Sequence, residues 1–204
     1  MLQLRAIEPG TLGLLKSLMQ EPFLSDNFLV GGTALALQMG HRLSIDLDLF
    51  THQPFEAEQL LEAFREKYTT QPLTVTNTIF IVVVEGIKVD CVRFKYPFTF
   101  PIEHTEGIRM ADIRDIASMK LDAVTKRGSK KDFVDMYYLF ERFSPQQILK
   151  WYDKMFQHST SLHVIRSLTY FEDAEQTEMP VVFDKKVTWG EVKKRIVQMV
   201  RDNF

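Results

Sequence analysis

Residues 28–50 read FLVGGTALALQMGHRLSIDLDLF, and this stretch decides the fold. Its first three residues are apolar and predict a short strand, which leads into Gly31-Gly32 and then into a helix over 34–39. Alternating apolar and polar residues predict a second strand over 45–51. The stretch therefore predicts a strand, a glycine turn, a helix and a strand that carries acidic residues, in that order.

Asp46 and Asp48 are the first candidate site residues. Because side chains alternate along a strand, both carboxylates share one face with Ser44, and we expect Ile45 and Leu47 on the buried face. Two neighbouring carboxylates repel each other unless a cation lies between them. Their oxygen ligands suit Mg²⁺ or Mn²⁺. A metal held in this way can activate an attacking hydroxyl and stabilise a leaving pyrophosphate.

Gly31-Gly32 and Thr33 are candidates for binding phosphate. Glycines between a strand and a helix let the backbone approach a ligand closely, and the N–H groups at the start of the next helix attract an anion. Thr33 is the predicted N-cap of that helix and adds a hydroxyl donor. The glycine turn and the paired aspartates together predict a site for a nucleoside triphosphate and Mg²⁺ or Mn²⁺.

Two other interpretations of the paired aspartates stay open. An Asp-x-Asp pair at a strand end is also found at a solvated sheet edge. Haloacid-dehalogenase-like phosphatases carry such a pair too, usually with Thr or Val two residues after the second aspartate and with glycine nearby. This chain has Phe50 at that position and its glycines precede the pair, which disfavours the phosphatase interpretation.

The fold class predicted for the whole chain is α+β, with a mixed sheet flanked by helices and followed by a helical C-terminal lobe. In the first part, helices are predicted over 9–20 and 54–68, a β-rich segment with room for one bend near Asn77 over 74–85, a strand over 87–95, and a loop over 96–107. Later helices are predicted over 112–127, 130–142, 145–157, 160–171 and from a capping pattern at Thr188 to 202. The predicted domains are 1–110 and 111–204, the second containing an acidic excursion over 172–187.

Composition excludes several classes of protein. The net charge of −2 gives no global basic field for nucleic acid, although a local patch would still fit. Cys91 is the single cysteine, so no internal disulfide forms, which suits a reducing cytoplasm. No stretch approaches the roughly 20 apolar residues that span a bilayer. We therefore expect a cytoplasmic protein without a membrane partner.

The motifs resemble those of AbiEii-type nucleotidyltransferases, which belong to the DNA polymerase β-like superfamily. The first match comprises the residues Gly31 to Leu37, Arg42, Ser44 and Asp46 to Phe50. A second match is similar to the family's helical Lys…Arg…Lys-Asp-x-x-Asp-(Leu)-Tyr motif, and it comprises the sequences KLDAVTKR over 120–127 and KDFVDMYYL over 131–139. Together the two matches span residues 28–139.

This resemblance implies a nucleotidyltransferase-like fold and a metal-dependent transfer of a nucleotide from a nucleoside triphosphate to an acceptor. Relatives with this pattern often act as toxins of toxin–antitoxin or abortive-infection systems, and some transfer nucleotides to the 3′ end of tRNA. The resemblance therefore implies an RNA acceptor and a cognate antitoxin protein as partners. A catalytically silent module that binds a nucleotide or a partner protein on the same fold is the alternative of a different class.

The resemblance also implies a third carboxylate on a neighbouring strand. Asp90 lies in a suitable hydrophobic setting, where it would complete the metal site and accept the proton of the acceptor hydroxyl. The structural alternative is a hairpin aspartate that faces solvent or pairs with Lys88 or Arg93.

The helical motif adds candidates that bind phosphate. Lys120 would reach the triphosphate as a point charge, with Arg127 on the same side of the helix, although a lysine here is otherwise typical of a helix surface. Asp132 would orient Lys120 or the nucleotide, or it would simply complete a helix cap that begins at Ser129. Asp135 lies one turn further on and belongs to the same predicted network.

Basic residues outside these motifs leave alternatives open. Arg42 would contact phosphate or RNA, or pair with a carboxylate and hold its loop, and Ser44 is a further candidate for nucleotide binding. A basic cluster would bind triphosphate or an RNA backbone, or form a solvated turn, and it consists of Lys126, Arg127, Lys130 and Lys131.

Overall fold

The structure is a computed structural model that describes residues 1–157 and 161–204. Two compact units are present. The first contains residues 1–97 and 101–112, and the second contains residues 98–100 and 113–204. The domain boundary predicted at residue 110 stays a prediction. Within the described residues, no helix combines the length and the apolar character needed to cross a membrane.

The first unit is built on a mixed sheet, to which the described residues contribute seven strands. The strands are β1 Phe28–Leu29, β2 Leu47–Thr51, β3 Thr70–Val75, β4 Ile79–Val84, β5 Ile87–Arg93, β6 Glu103–Thr105 and β7 Ile108–Met110. They lie in the order β3-β4-β5-β2-β1-β7-β6. Strand β2 is parallel to β5 and β1 is parallel to β7, while the other neighbours are antiparallel.

Three α-helices belong to the described part of this unit, and they are α1 Pro9–Leu18, α2 Gly31–Met39 and α3 Ala57–Lys67. Short 3₁₀ turns over Leu4–Ala6 and Pro22–Leu24 flank α1. The amphipathic pattern of α3 buries Leu60 and Phe64, as the sequence predicts. The predicted combination of a mixed sheet with flanking helices is confirmed.

Strand β2 has the alternation that the sequence predicts, but it begins two residues later. Leu47 and Leu49 are fully buried, and Asp48 and Phe50 point to the less buried face. The prediction that Ile45 is buried is wrong, since its side chain is 53% exposed. Residues 41–46 form an irregular segment before the strand, so the pleat that would direct Ile45 inward has not yet started.

Helix α2 begins at Gly31, so the prediction that Thr33 is its N-cap is wrong. The N-cap is Val30, whose side chain makes no capping hydrogen bond, and Thr33 is buried inside the first turn. The predicted stop at Gly40 is confirmed, because Gly40 adopts a left-handed conformation with φ 67° at the C-cap.

A hairpin formed by β6 and β7 lies partly in the segment predicted as a loop, so that prediction is wrong for Glu103–Thr105. Its turn is Glu106-Gly107, and both residues have positive φ (52° and 79°), as tight hairpin turns require. Arg109 of β7 secures the hairpin by donating hydrogen bonds to three backbone carbonyls, which are those of Met19, Leu24 and Asn27. Strands this short leave too little alternation to be recognised in the sequence.

The second unit is helical, which confirms the predicted C-terminal helices. Its described helices are α4 Ile113–Lys126, α5 Lys130–Leu139, α6 Pro145–Met155, α7 Ser161–Ser167, α8 Glu172–Glu175 and α9 Trp189–Asn203. Residue 160, where a helix was predicted to begin, lies outside the described residues. Thr188 caps α9 by accepting a hydrogen bond from the Glu191 N–H, as its spacing predicts.

Aromatic side chains form much of the second unit's interior. Phe133 is fully buried and packs against Phe171 and Trp189, with ring centroids 4.9 and 5.8 Å apart. The predicted acidic excursion is tied to α5, because the Lys130 ammonium donates to the Thr177 carbonyl at 2.8 Å. Phe133 therefore contributes from α5 to the packing of this unit.

Candidate active site

The turn between β1 and α2 holds the Asp48 carboxylate. Gly31 has a φ of 67°, a conformation that residues with a side chain rarely adopt. A Cβ atom added to Gly31 would lie 2.9 Å from Asp48 Cγ and still closer to one carboxylate oxygen. The Val30 N–H donates to the Asp48 carbonyl at 2.9 Å. Glycine is therefore needed at position 31 because the Asp48 side chain packs directly on its Cα atom.

Gly32 accommodates a second side chain, that of Arg42. A Cβ atom on Gly32 would contact the Arg42 guanidinium and would lie 3.4 Å from Ser44 Oγ. Arg42 is only 3% exposed, and its Nη1 donates to the Leu43 carbonyl at 3.0 Å. Arg42 therefore contacts both the first turn of α2 and its own loop, and contact of Arg42 with phosphate or RNA stays a prediction.

The loop that precedes β2 is held by Thr33. Its hydroxyl oxygen lies 2.8 Å from Ser44 Oγ and within hydrogen-bonding distance of the Asp46 carbonyl oxygen. Both hydroxyls are buried. Because the backbone of Asp46 is tied to α2, the orientation of the Asp46 side chain depends on Thr33. Phosphate binding by Thr33 and Ser44 stays a prediction.

Asp48 and Asp90 lie beside each other in the sheet. They are register partners on the parallel strands β2 and β5, and both side chains are half-buried. Register partners on adjacent strands point to the same face, and Asp46 precedes Asp48 by two residues. Among residues 1–157 and 161–204, no group of three or more His, Cys, Asp or Glu side chains is arranged to hold a metal ion. Carboxylate oxygens are nevertheless the donors that Mg²⁺ prefers, so these three aspartates fit the ion in their chemistry.

Asp90 has a cationic partner on its own strand. Lys88 Nζ donates to both Asp90 oxygens, at 2.6 and 2.5 Å. The side chains are 40% and 18% exposed, respectively. The pairing with Lys88 that the sequence offered as an alternative is therefore present, and the predicted role of Asp90 as a metal ligand and proton acceptor stays a prediction.

Cys91 follows Asp90 on the opposite face of β5 and is fully buried. Burial raises the pKa of the Cys91 thiol, and the neighbouring Asp90 charge raises it further. Metals and electrophiles react with the thiolate form. The protonated, buried thiol is therefore part of the core of the first unit and not a ligand.

In the second unit, Lys120 is a buried cation and not the surface lysine that was the alternative prediction. Its side chain is 5% exposed, and its ammonium lies 2.7 Å from Asp135 Oδ2 and 3.2 Å from Asp132 Oδ1. Both carboxylates are fully buried. The predicted grouping of these three residues is therefore present, while binding of phosphate by Lys120 stays a prediction.

Asp132 is the centre of a larger network. It accepts hydrogen bonds from Arg127 Nε and Nη2 at 3.0 and 3.1 Å and from Ser129 Oγ at 2.6 Å. Burial raises the pKa of the Asp132 carboxyl, but the charge of Lys120 and the hydrogen bonds from Arg127 and Ser129 outweigh burial and hold this pKa well below its ordinary value. Ser129 makes no side-chain cap to the backbone of α5, so Asp132 serves an ionic network and not merely a helix cap.

The predicted basic cluster makes contacts within the second unit. The Lys126 ammonium pairs with Asp122 at 2.7 Å on the surface of α4. Lys130 donates to the carbonyls of Glu175 and Thr177. These contacts favour the structural interpretation for Lys126 and Lys130, and binding of triphosphate or RNA by the cluster stays a prediction.

Comparison with known proteins identifies the family. The family model described as "Nucleotidyl transferase AbiEii toxin, Type IV TA system" matches residues 13–109. An uncharacterised protein of Aquifex aeolicus is 32% identical over 184 residues, which cover 87% of this chain and 88% of that protein. The chain belongs to the AbiEii nucleotidyltransferase toxin family.

Solved structures share the AbiEii chain's fold. MenT4, a nucleotidyltransferase toxin of Mycobacterium tuberculosis, has a TM-score of 0.60 and 16% identity, covering 94% of this chain and 84% of that one. JHP933 of Helicobacter pylori has a TM-score of 0.57 and 19% identity, covering 96% and 92% of the two chains. At these identities the likeness shows the fold, and the predicted nucleotidyltransferase-like fold is confirmed.

The AbiEii match divides the candidate residues into two sets. Its range of 13–109 includes Gly31, Asp46, Asp48 and Asp90, whereas Lys120 and Asp132 follow it. One member of the second set was missed as a functional neighbour, namely Ser129, whose hydroxyl donates to Asp132. Its spacing of three residues from Asp132 is the only signal in the sequence, and a helix cap has the same spacing.

Proposed function

We propose that this AbiEii-family protein transfers a nucleotide from a nucleoside triphosphate to the 3′ end of an RNA, with tRNA as the favoured acceptor, and that the reaction requires Mg²⁺ or Mn²⁺. The observation that carries the proposal is the alignment of Asp48 with Asp90 against the Gly31 turn. A carboxylate pair is costly in a sheet, and a cation at this face would offset the repulsion. Membership of a toxin family supports action as the toxin of a pair with a cognate antitoxin protein.

The carboxylates divide the chemistry between them. Asp46 and Asp48 would hold the metal, and a metal bound there would supply positive charge to the triphosphate and the leaving pyrophosphate. Asp90 would accept the proton of the acceptor hydroxyl as that oxygen forms its bond to the α-phosphorus. The bond between the α-phosphorus and the oxygen that bridges to the β-phosphate then breaks, and pyrophosphate leaves.

The start of α2 supports a phosphate-binding role. Its N-cap, Val30, provides no side-chain acceptor for the first-turn N–H groups, and these groups lie in the same turn as the Asp48 carboxylate. N–H groups at a helix start attract phosphate. We therefore assign the backbone of Gly32 and Thr33 to the triphosphate.

Lys120 and Arg127 are proposed as further phosphate ligands. Arg127 has a 60% exposed side chain, and Asp132 accepts hydrogen bonds from two of its nitrogens, so the guanidinium is held in a fixed orientation. A guanidinium fixed in this way suits an anion with two acceptor oxygens. Asp132 and Asp135 are positioning residues in this scheme, because they hold the cations and touch no substrate.

The first experiment incubates the purified protein with each labelled nucleoside triphosphate, total RNA and Mg²⁺ or Mn²⁺, and compares the wild type with Asp48→Asn. We expect transfer to fall by about 100-fold or more, on the order of 3 kcal/mol in barrier, because the metal loses a charged ligand. Asp202→Asn removes a carboxylate from the exposed end of α9 and should keep full activity.

Circular dichroism and thermal melting check that Asp48→Asn stays folded. Transfer retained in a folded Asp48→Asn protein would refute the metal role. Binding of nucleotide with no labelled product on any RNA would instead favour the catalytically silent module. Sequencing of the labelled RNA ends identifies the acceptor, and label that is confined to protein or DNA would overturn the RNA assignment.

A further inference from the structure

The ion pair between Lys88 and Asp90 occupies the place where the third carboxylate of the site would meet a metal. The two residues are two positions apart on β5, so their side chains share one face. The Lys88 ammonium contacts both carboxylate oxygens at 2.5–2.6 Å, so both have a cation in contact. A metal that bound Asp90 through the same lone pairs would have to compete with this ammonium.

Asp48 places a second carboxylate beside Asp90. Asp48 and Asp90 are register partners on adjacent parallel strands, and like charges in that arrangement destabilise a sheet. The Lys88 charge offsets part of this repulsion. The chain therefore supplies its own positive charge at the carboxylate face.

We propose that Lys88 is a positioning residue that acts as the resting counter-ion of Asp90, and that a divalent cation must displace it before Asp90 can serve as a ligand or proton acceptor. This inference rests on the proposed function, because it assigns Asp90 to the metal site. It makes Lys88 a determinant of metal affinity, although an ammonium group cannot itself coordinate a metal.

Displacement is feasible because the pair is partly exposed. With 40% of its side chain accessible, Lys88 reaches solvent by rotating its flexible four-carbon stem. Ion pairs at such positions contribute little net free energy. A divalent ion carries twice the charge of an ammonium group, so it would displace Lys88 once its concentration is sufficient.

The test is a titration of the full chain with Mn²⁺ in the absence of nucleotide, with free Mn²⁺ measured by electron paramagnetic resonance. We expect Lys88→Gln to bind Mn²⁺ about three- to tenfold more tightly than the wild type, since the competing cation is gone. Lys95→Gln is the matched control. It removes one lysine charge just beyond β5, where the ammonium contacts the Tyr96 ring. It should leave the Mn²⁺ affinity nearly unchanged.

A second comparison assigns the effect to Asp90. In an Asp90→Asn background, Lys88→Gln should no longer tighten Mn²⁺ binding. Lys88→Arg keeps the positive charge and should bind Mn²⁺ no more tightly than the wild type. This variant is the comparison to use if Lys88→Gln has a lower melting temperature than the wild type. An unchanged or weaker affinity in Lys88→Gln, or an equal gain with Asn at position 90, would overturn the inference.

The two proposals fail in different ways. If the wild type transfers nucleotides and loses this activity in Asp48→Asn, but Lys88→Gln binds Mn²⁺ like the wild type, only the role of Lys88 is wrong. If neither the wild type nor Lys88→Gln binds Mn²⁺, both the metal site and its counter-ion are wrong.

Discussion

At the scale of single residues, the buried charges around Lys120 have to balance. Two fully buried carboxylates, Asp132 and Asp135, face Lys120, and Arg127 supplies the second positive charge. Taking charges out of water is costly, and only mutual pairing and hydrogen bonds compensate for it. A variant of this cluster can therefore lose activity because it is less stable, so its unfolding free energy is measured together with its activity.

The pH dependence of stability tests this balance. The pKa of Asp132 is lowered on folding, so its contribution is complete above its ordinary value near 3.8 and is lost as the pH falls below it. We expect the urea midpoint of the second unit, followed by tryptophan fluorescence, to fall between pH 5 and 2. In Asp132→Asn the part of this decrease in urea midpoint that comes from Asp132 should be absent.

At pH 7 the same variant should be the less stable protein, by about 3 kcal/mol, because one partner of a buried ion pair is gone. Asp122→Asn removes the carboxylate of a surface ion pair on α4, in which the side chain of Lys126 is 66% exposed. It should cost less than about 1 kcal/mol. Equal pH profiles for wild type and Asp132→Asn would contradict the ionised, paired state of Asp132.

At the scale of elements, the turn that joins β1 to α2 sets the position of the site. Two glycines there admit two side chains from the segment that follows the helix, and these are Asp48 and Arg42. The turn and the loop are therefore parts of one structure, and a change in one moves the other.

Gly31→Ala should disturb this structure strongly. The new methyl group would overlap the Asp48 carboxylate, and alanine is strained at a φ of 67°. We expect a loss of about 1–3 kcal/mol in unfolding free energy, together with weaker Mn²⁺ binding, as measured by urea unfolding and metal titration.

Gly13→Ala is the control for this change. Gly13 lies inside α1 with nothing within 4 Å of its added Cβ. It should stabilise the protein by about 0.5–1 kcal/mol, since alanine is the better helix former. Wild-type Mn²⁺ binding by Gly31→Ala would show that the turn does not position the Asp48 carboxylate.

At the scale of the whole molecule, the sequence predicted what depends on local pattern. The alternation of Leu47 and Leu49 placed Asp48 on the less buried face of β2, and helical periodicity located most of the described helices. Features that depend on partners distant in sequence were not predicted. Glycine at position 31 was expected to approach a ligand, yet the atom it approaches belongs to Asp48.

The sequence alone also could not predict which charged side chains are buried. A lysine in an apolar helix segment looks the same whether it snorkels to solvent or meets two carboxylates, and only tertiary packing placed Asp132 and Asp135 beside Lys120. Asp90 would occupy the same position on the strand whether it binds a metal or pairs with Lys88. The local pattern therefore fits both interpretations.

Reactivity of Cys91 tests the packing of the first unit. Because the thiol is fully buried and its pKa is raised by burial and by Asp90, we expect a thiol reagent such as dithionitrobenzoate to leave it unmodified in the native protein. Modification should begin only over the urea range in which the unit unfolds. Rapid reaction without denaturant would contradict the buried position of β5.

The placement of the rarest side chains gives each unit its own reporter. The one cysteine lies in the first unit, and the two tryptophans, Trp151 and Trp189, lie in the second. Thiol labelling and indole emission therefore observe different parts of one unmodified chain. An experimenter can follow whether both parts lose their structure in a single transition or in succession, without introducing any substitution.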